Sequence, residues 1–311
     1  MLFDCTLLSL LGAMVAAIGL YRVVQFVHLT FFSTGHDLKR RYSKAGDWAV
    51  VTGGTEGIGR AVALDLANRG FNVCVISRTQ SKLDEVVAEI EKCGTRGHSI
   101  AFDFATAGEA EYKMLFAKLD SLAVGLLVNN VGVNYTYANY FDEADVVDDL
   151  RIIKVNCEAT TRMTKFFAPR MKARRAGGIV LLGSFSAVTP APLLATYAGT
   201  KAFNVSFGDA LFYELKKFGV DVLVVTPNLV VSRMTQGAST RAPKETFLTV
   251  GAAAMARQTL NQLGVVNRTA GHRNHIIIEA IARLLPESLR GEKMLAMHES
   301  IKKRAERKAK Q

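Results

Sequence analysis

The chain has 311 residues, 49% of them hydrophobic, and its 39 basic and 28 acidic side chains give a formal net charge of +11. This apolar content supplies a sizeable core and excludes a disordered chain, while the basic excess suits an anionic partner: a phosphorylated cofactor, a coenzyme A thioester, a membrane face or nucleic acid. Cys5, Cys74, Cys93 and Cys157 show no C-x-x-C spacing and no histidine cluster, so no metal site or disulfide framework is expected, and buried thiols in a reducing compartment fit best.

Residues 5–21, CTLLSLLGAMVAAIGLY, run 17 positions without a charge. As a helix they cover about 25 Å of a hydrocarbon layer about 30 Å thick, and apolar neighbours extend them. Asp4 stands where a cleaved signal peptide carries basic residues, and Arg22, Lys39, Arg40, Arg41 and Lys44 all follow the run. Residues 1–34 are therefore expected to form a membrane anchor, followed by a basic linker over 35–46, with the remainder facing the cytosol. An ordinary buried helix is the alternative, because 17 residues is short for a span.

From residue 47 short apolar runs alternate with longer amphipathic ones. Strands are expected at 48–51, 72–76, 98–102, 125–128, 179–182 and 221–225, and helices at about 57–69, 80–93, 108–119, 145–174 and 195–218. This alternation predicts a single α/β domain over 47–285, a Rossmann-like, doubly wound parallel sheet. Residues 286–311, ending SIKKRAERKAKQ, read as a basic tail that is solvated or lies on a membrane surface. No aromatic residues interleave its charges and no helix pairs a basic face with base-reading residues, so nucleic-acid binding is not expected.

Directly after the first expected strand comes TGGTEGIG, residues 52–59. Gly53, Gly57 and Gly59 allow a tight turn and close approach to a pyrophosphate at the following helix N-terminus, and Thr55 and Ile58 of the same turn join them as expected cofactor contacts. The second strand ends in Ser77 and Arg78 without the acidic residue that favours NAD, and a guanidinium there can grip a 2′-phosphate, so NADPH is the expected cofactor. Asp103 in FDF and Asn130 in VNNVG follow the next two strands, at the edge where ligands bind in open α/β sheets. Ser184 ends the fifth strand. The pattern Tyr-x-x-x-Lys then occurs twice, as Tyr197 with Lys201 and as Tyr213 with Lys217. A helix beginning near 195 puts the first pair at the catalytic edge and the second about 24 Å down the axis, so Tyr197 and Lys201 are the candidates.

Taken in order, TGGTEGIG, NNVG, Asn156 in KVN, Ser184 and YAGTK resemble the short-chain dehydrogenase/reductase family over roughly residues 47–235. The resemblance implies a catalytic tetrad of Asn156, Ser184, Tyr197 and Lys201. Ser184 would hold the substrate carbonyl, Tyr197 would donate the proton, Lys201 would hold the nicotinamide ribose and depress the tyrosine pKa, and Asn156 would place a water relaying protons to Lys201. The chain departs from the family after the sixth strand, where TPNLVVSRMT has Asn228 in place of a glycine and Ser232 at a position often held by threonine; Ser232 can still hydrogen-bond a carboxamide.

NNVGVNYTYANYF, SFSAVTPAPLLATYAGTKAF, the N-terminal apolar segment and GHRNHIIIEAIARLLPESLR are similar to the membrane-bound branch containing very-long-chain 3-oxoacyl-CoA reductases and 17β-hydroxysteroid dehydrogenases. That similarity implies residence on the endoplasmic reticulum and NADPH-dependent reduction of 3-oxoacyl-CoA in microsomal fatty acid elongation, beside an elongase, a dehydratase and an enoyl reductase. A steroid or other lipid ketone is the alternative substrate, decided by the loops at 133–142, 185–196 and 232–250, and a catalytically silent nucleotide-binding scaffold is the remote one. A homo-oligomer stays open. His272 and His275 either line the substrate mouth or are structural. The sequons at Asn134, Asn204 and Asn267 are expected to stay unglycosylated in a cytosolic domain, and Ala309 breaks a dilysine retrieval signal.

Overall fold

The computed structural model describes residues 2–236 and 244–309, in two compact units that meet in sequence between Thr34 and Gly35. Part of the expected pocket loop, 237–243, and the last two residues of the expected tail lie outside the described residues.

The first unit is helix α1 (Leu2–Val27), which continues as a π-helical turn over His28–Phe32. Within Thr6–Phe32 the most apolar 18-residue stretch has a mean hydropathy of 2.0 and is not buried, so by length and composition the helix is able to cross a membrane.

The second unit opens with α2 (Leu38–Tyr42), and its described residues form the strands β1 (Trp48–Thr52), β2 (Asn72–Ser77), β3 (Gly97–Ala101), β4 (Val124–Asn129), β5 (Gly177–Leu182), β6 (Val220–Val225), β7 (Leu229–Val230), β8 (Thr249–Val250) and β9 (Arg268–Thr269). Seven form one parallel sheet in the order β3-β2-β1-β4-β5-β6-β9, and β7 pairs with β8 apart from it. The expected doubly wound sheet is present, with the two-residue strand β9 added at its edge. Strand order reverses between β1 and β4, the switch point at which such sheets bind ligands.

The crossover helices α3 (Gly57–Asn68), α4 (Gln80–Lys92), α5 (Glu109–Asp120), α6 (Val146–Ile153), α7 (Ala159–Arg174) and α8 (Ala195–Lys216) cover both faces. Because both faces are covered, the central strands are continuous apolar runs, as in VGLLVN and GGIVLL, which are buried throughout. Successive residues alternate between two cores. Val51, Val75 and Val128 pack toward α3 and α4, whereas Val50, Ile76 and Leu127 pack toward α5, α7 and α8. The remaining helices are α9 (Arg233–Gln236), α10 (Ala252–Gln262), α11 (Arg273–Leu284) and α12 (Glu287–Ala309).

Three local expectations are corrected. Residues 35–46 are built into the second unit and are not a linker. Leu38 and Tyr42, one helical turn apart on α2, are each 1% exposed, and Arg41 Nε and Nη2 donate to Asp221 at 2.6 and 3.2 Å. The Tyr42 hydroxyl donates to the same carboxylate at 2.7 Å, and burial with that carboxylate holds its pKa well above the ordinary phenol value.

Residues 286–309 are not a free tail, because Glu287–Ala309 is a helix packed on the loops beside the site. Its attachment is polar: Arg290 Nη1 donates to Val188 O at 3.0 Å, His298 Nδ1 meets Pro192 O at 2.6 Å, Tyr140 donates to Glu299 at 2.6 Å, and Lys302 pairs with Glu143. Nor is the helix expected at 145–174 continuous. Lys154–Glu158 is a π-helical turn, closed by the Ala159 N–H on Lys154 O, and Asn156 lies inside it.

Candidate active site

The cofactor cradle forms where β1 hands over to α3. Gly53 and Gly57 adopt φ of 64° and 54°, a region that glycine enters without Cβ strain. A side chain at Gly59 would strike the Gly53 carbonyl and the Asn130 amide, so the three glycines bring bare backbone to the helix N-terminus. These residues fit a dinucleotide pyrophosphate.

Asn130 acts as a brace here. Its Nδ2 donates to Thr52 O and Gly53 O, both at 3.0 Å, and the Asn130 and Val131 N–H groups donate to Thr52 Oγ1 at 3.0 and 3.1 Å. Thr52 opens TGGTEGIG and is not among the expected contacts, yet its buried hydroxyl organises both loops. Thr55 Oγ1 lies 3.0 Å from Ser77 Oγ, which ties the turn to the end of β2, and Ile58 packs partly buried against the core.

Arg78 is exposed beyond β2 and has no ion-pair partner among the described residues. Asp103, after β3, accepts the Ala105 N–H at 2.9 Å through one oxygen. Ser232 sits over the cradle, with its Cβ 3.0 Å from the Cβ position of Gly57, but its hydroxyl is 3.2 Å from Thr235 Oγ1 in the first turn of α9. Glu56, the N-cap of α3, pairs with Lys82 and lies 3.5 Å from Arg233. Burial acts to raise its pKa, but Lys82 and Arg233 together outweigh burial and leave the carboxyl below its usual range. Two cations against one carboxylate keep this helix N-terminus favourable to phosphate.

The catalytic candidates meet at the carboxyl edge of β4 and β5. Tyr197 lies in the first turn of α8 and is 9% exposed; Tyr213, sixteen residues on, is 72% exposed, so the first Tyr-x-x-x-Lys pair is the one held inside. Lys201 is 4% exposed and its Nζ donates to Leu182 O at 3.0 Å, an oxygen that also accepts from Asn204 Nδ2 at 3.3 Å. Asn156 is fully enclosed, with Oδ1 accepting Val133 N–H at 2.8 Å and Nδ2 donating to Val133 O at 3.0 Å and Thr200 Oγ1 at 2.9 Å. Gly132 leaves the space between them: a Cβ there would lie 3.1 Å from Lys201 Nζ and 3.3 Å from Asn156 Oδ1. Thr200, inside YAGTK but given no role there, links Asn156 to Tyr197 O at 2.7 Å.

Burial raises the Tyr197 pKa, and a hydrogen bond with Ser184 works in the opposite direction. Burial lowers the Lys201 pKa from 10.5 to about 8. The ammonium lies 5.8 Å from the Tyr197 ring centre and is turned toward Leu182 O, so in this arrangement burial, not Lys201, dominates the phenol. The neighbouring Cys157 thiol is pushed up to about 11 by burial, which keeps it protonated at neutral pH.

Ser184 caps the short turn Phe185–Ala187, accepting the Ser186 N–H at 3.2 Å. The loop that follows reaches Leu193, whose φ of 66° is strained for a branched side chain, and Leu193 O accepts the Asn139 N–H at 3.1 Å. The 185–196 and 133–142 walls are thereby stitched together. Tyr135 adds a hydrogen bond to Asp149 of α6.

His272 and His275 are structural. His272 Nδ1 caps α11 by accepting the Asn274 N–H at 3.2 Å, while His275 accepts the Asn228 N–H at 3.2 Å through Nδ1 and meets Leu248 O at 3.2 Å through Nε2. Asn228, which departs from the family pattern, is thus held by an imidazole. Asn204 is 1% exposed, so the folded domain has no room for a glycan at that sequon. Among the described residues no cluster of three or more His, Cys, Asp or Glu side chains is placed to hold a metal.

The family model described as short chain dehydrogenase matches residues 47–243. A very-long-chain 3-oxoacyl-CoA reductase of Neurospora crassa is 38% identical over 228 residues, covering 73% of this chain and 68% of that one. A Bos taurus protein of the same name is 37% identical over 247 residues, 78% of this chain and 77% of its own. A solved structure from work on 7beta-hydroxysteroid dehydrogenase stereoselectivity superposes with a TM-score of 0.74 at 21% identity, over 83% of this chain and 99% of that one.

Proposed function

The chain belongs to the short-chain dehydrogenase family of oxidoreductases, and from that premise we propose that it reduces a long-chain 3-oxoacyl-CoA to the 3-hydroxyacyl-CoA with NADPH. The observation that carries the reading is the convergence of Asn156, Ser184, Tyr197 and Lys201 at one sheet edge, in a chain over a third identical to reductases named for that substrate.

Bound NADPH supplies the hydride. Ser184 donates to the substrate carbonyl oxygen as charge builds on it, and Tyr197, kept protonated by its burial, gives that oxygen its proton. Lys201 holds a positive charge beneath the site, and its lowered pKa suits proton replacement near neutral pH. Asn156 fixes the Val133 backbone and Thr200, and so holds the floor on which Tyr197 and Lys201 stand. Gly53, Gly57 and Gly59 would hold the pyrophosphate, and Arg78 the 2′-phosphate.

The apolar segment Thr6–Phe32, with basic residues following it, supports an endoplasmic reticulum anchor with the catalytic unit in the cytosol. There the product would pass to a dehydratase, and the substrate would come from a condensing elongase.

The test is NADPH oxidation by the full-length protein in membranes, with a long-chain 3-oxoacyl-CoA and a 17-ketosteroid in parallel and Tyr197→Phe as control. Turnover of the thioester that Tyr197→Phe lowers by at least roughly a hundredfold supports the reading. Turnover of the steroid alone would move the substrate while keeping the mechanism, and undiminished activity in Tyr197→Phe would remove the mechanism itself.

A further inference from the structure

Helix α12 lies beyond the residues that the family model matches, and it ties down both walls beside Tyr197. Most of its described polar contacts are between partners that satisfy each other. Lys302 is taken by Glu143 and by Glu306 at 3.8 Å, and Tyr140 by Glu299. Arg290 is different. It is half-buried, Nη1 donates to Val188 O at 3.0 Å, and its buried Nε has no hydrogen-bond partner. Although Glu287 stands one turn earlier on the same helix, Arg290 forms no ion pair among the described residues.

Its location links it to the chemistry. The turn Phe185–Ala187 has Ser184 as its N-cap and Val188 as its C-cap, so one short turn carries the carbonyl-holding hydroxyl at its start and the acceptor of Arg290 at its end. This turn follows β5. The cofactor cradle and Arg78 follow β1 and β2, on the other side of β4 in the sheet order. A cation here therefore faces the substrate half of the cleft. A half-buried guanidinium with one nitrogen on a carbonyl and no carboxylate partner among the described residues keeps part of its fork for a phosphate.

Resting on the 3-oxoacyl-CoA reading, we propose that Arg290 binds a phosphate of the substrate's coenzyme A head and so selects a phosphorylated thioester over an uncharged lipid ketone. The pantetheine arm separates the reacting carbonyl from those phosphates, which places their cation on the roof helix at the mouth and not beside Tyr197.

The experiment compares wild type, Arg290→Gln and Arg290→Lys as full-length membrane protein. Arg290→Gln removes the charge and, because its amide ends where Arg290 Nε stands, also the bond to Val188 O, whereas Arg290→Lys keeps the charge. Each is assayed with a long-chain 3-oxoacyl-CoA, with the same acyl group on N-acetylcysteamine, and with free coenzyme A as inhibitor; NADPH affinity is measured by fluorescence. Loss of a charge-assisted contact is expected to raise KM for the CoA thioester and weaken inhibition by coenzyme A roughly ten- to a hundredfold. In that case NADPH affinity is unchanged, the loss on the N-acetylcysteamine thioester, which reports only the bond to Val188 O, is several-fold smaller, and Arg290→Lys recovers most of the loss on the CoA thioester. Unchanged KM in Arg290→Gln, or an equal loss on both thioesters, overturns the assignment while leaving the reductase reading intact. Wild type that reduces neither thioester overturns both.

Discussion

Replacing Lys201 with methionine is expected to inactivate the protein and to make it more stable. The ammonium is 4% exposed, and its pKa falls from 10.5 to about 8. Two and a half units at 1.36 kcal/mol each amount to about 3 kcal/mol spent at neutral pH on keeping a buried charge. Methionine fills a similar volume without that charge. It forfeits the hydrogen bond to Leu182 O, worth about 1 kcal/mol, but the oxygen keeps Asn204 as a donor at 3.3 Å and is not orphaned. The net expectation is a gain of about 2 kcal/mol at pH 7.

The pH dependence carries the cause. Because the folded-state pKa lies below the unfolded one, the unfolded chain binds more protons between pH 8 and 10.5, and wild type gains stability as pH rises through that window. The methionine variant has no such group, so its advantage should close by pH 10.5. Urea unfolding of the detergent-solubilised full-length proteins, followed by circular dichroism at pH 7 and pH 10, measures both effects. A variant less stable than wild type at pH 7, or an advantage equal at the two pH values, would refute the reasoning.

Arg78→Ala is expected to weaken NADPH binding roughly ten- to a hundredfold and to leave NADH nearly unchanged, the worth of one charge-assisted phosphate contact; fluorescence titration with both cofactors checks it, and equal losses would reject the 2′-phosphate role. Asp221→Ala removes the acceptor of Arg41 and of the buried Tyr42 hydroxyl, and should cost about 3 kcal/mol in urea unfolding, where a loss under about 1 kcal/mol would show that α2 is held by Leu38 and Tyr42 packing alone. Deletion of residues 1–34 should move the protein from the membrane pellet to the soluble fraction. Sedimentation decides, and a truncated protein that still pellets would assign membrane contact to the second unit, where Leu284 is 85% exposed.

The sheet and the cradle were legible because their signals are local and repeated. VNNVG, LLGSFSA and the glycines of TGGTEGIG each end an apolar run, and a buried parallel strand has no other way to look. The parts that escaped depend on contacts distant in sequence. Asp221 holds α2 from 179 or more positions away, and a five-residue helix with two inward residues shows no periodicity. Helix α12 escaped for a related reason: it docks through hydrogen bonds and an ion pair, so hydropathy registers only its charge. The π turn at Asn156 has the same apolar spacing as the helix around it until the Ala159 N–H reaches one residue further back. For Asn130 and Ser232, motif position put them at the site, whereas the work their side chains do, bracing Gly53 and capping α9, depends on backbone geometry.

The roof formed by α12 also divides the two walls by how freely each can change. On the 185–196 wall its contacts end on the main-chain oxygens of Val188 and Pro192, which every amino acid offers. On the 133–142 wall and just beyond it they end on the Tyr140 phenol and the Glu143 carboxylate, which only a few residues can imitate. Side chains at 188 and 192 can therefore be exchanged to reshape the cleft without loosening its cover, while a change at 140 or 143 alters shape and attachment together. Variation toward new acyl lengths, natural or designed, has its cheapest route through the wall that is gripped by its backbone.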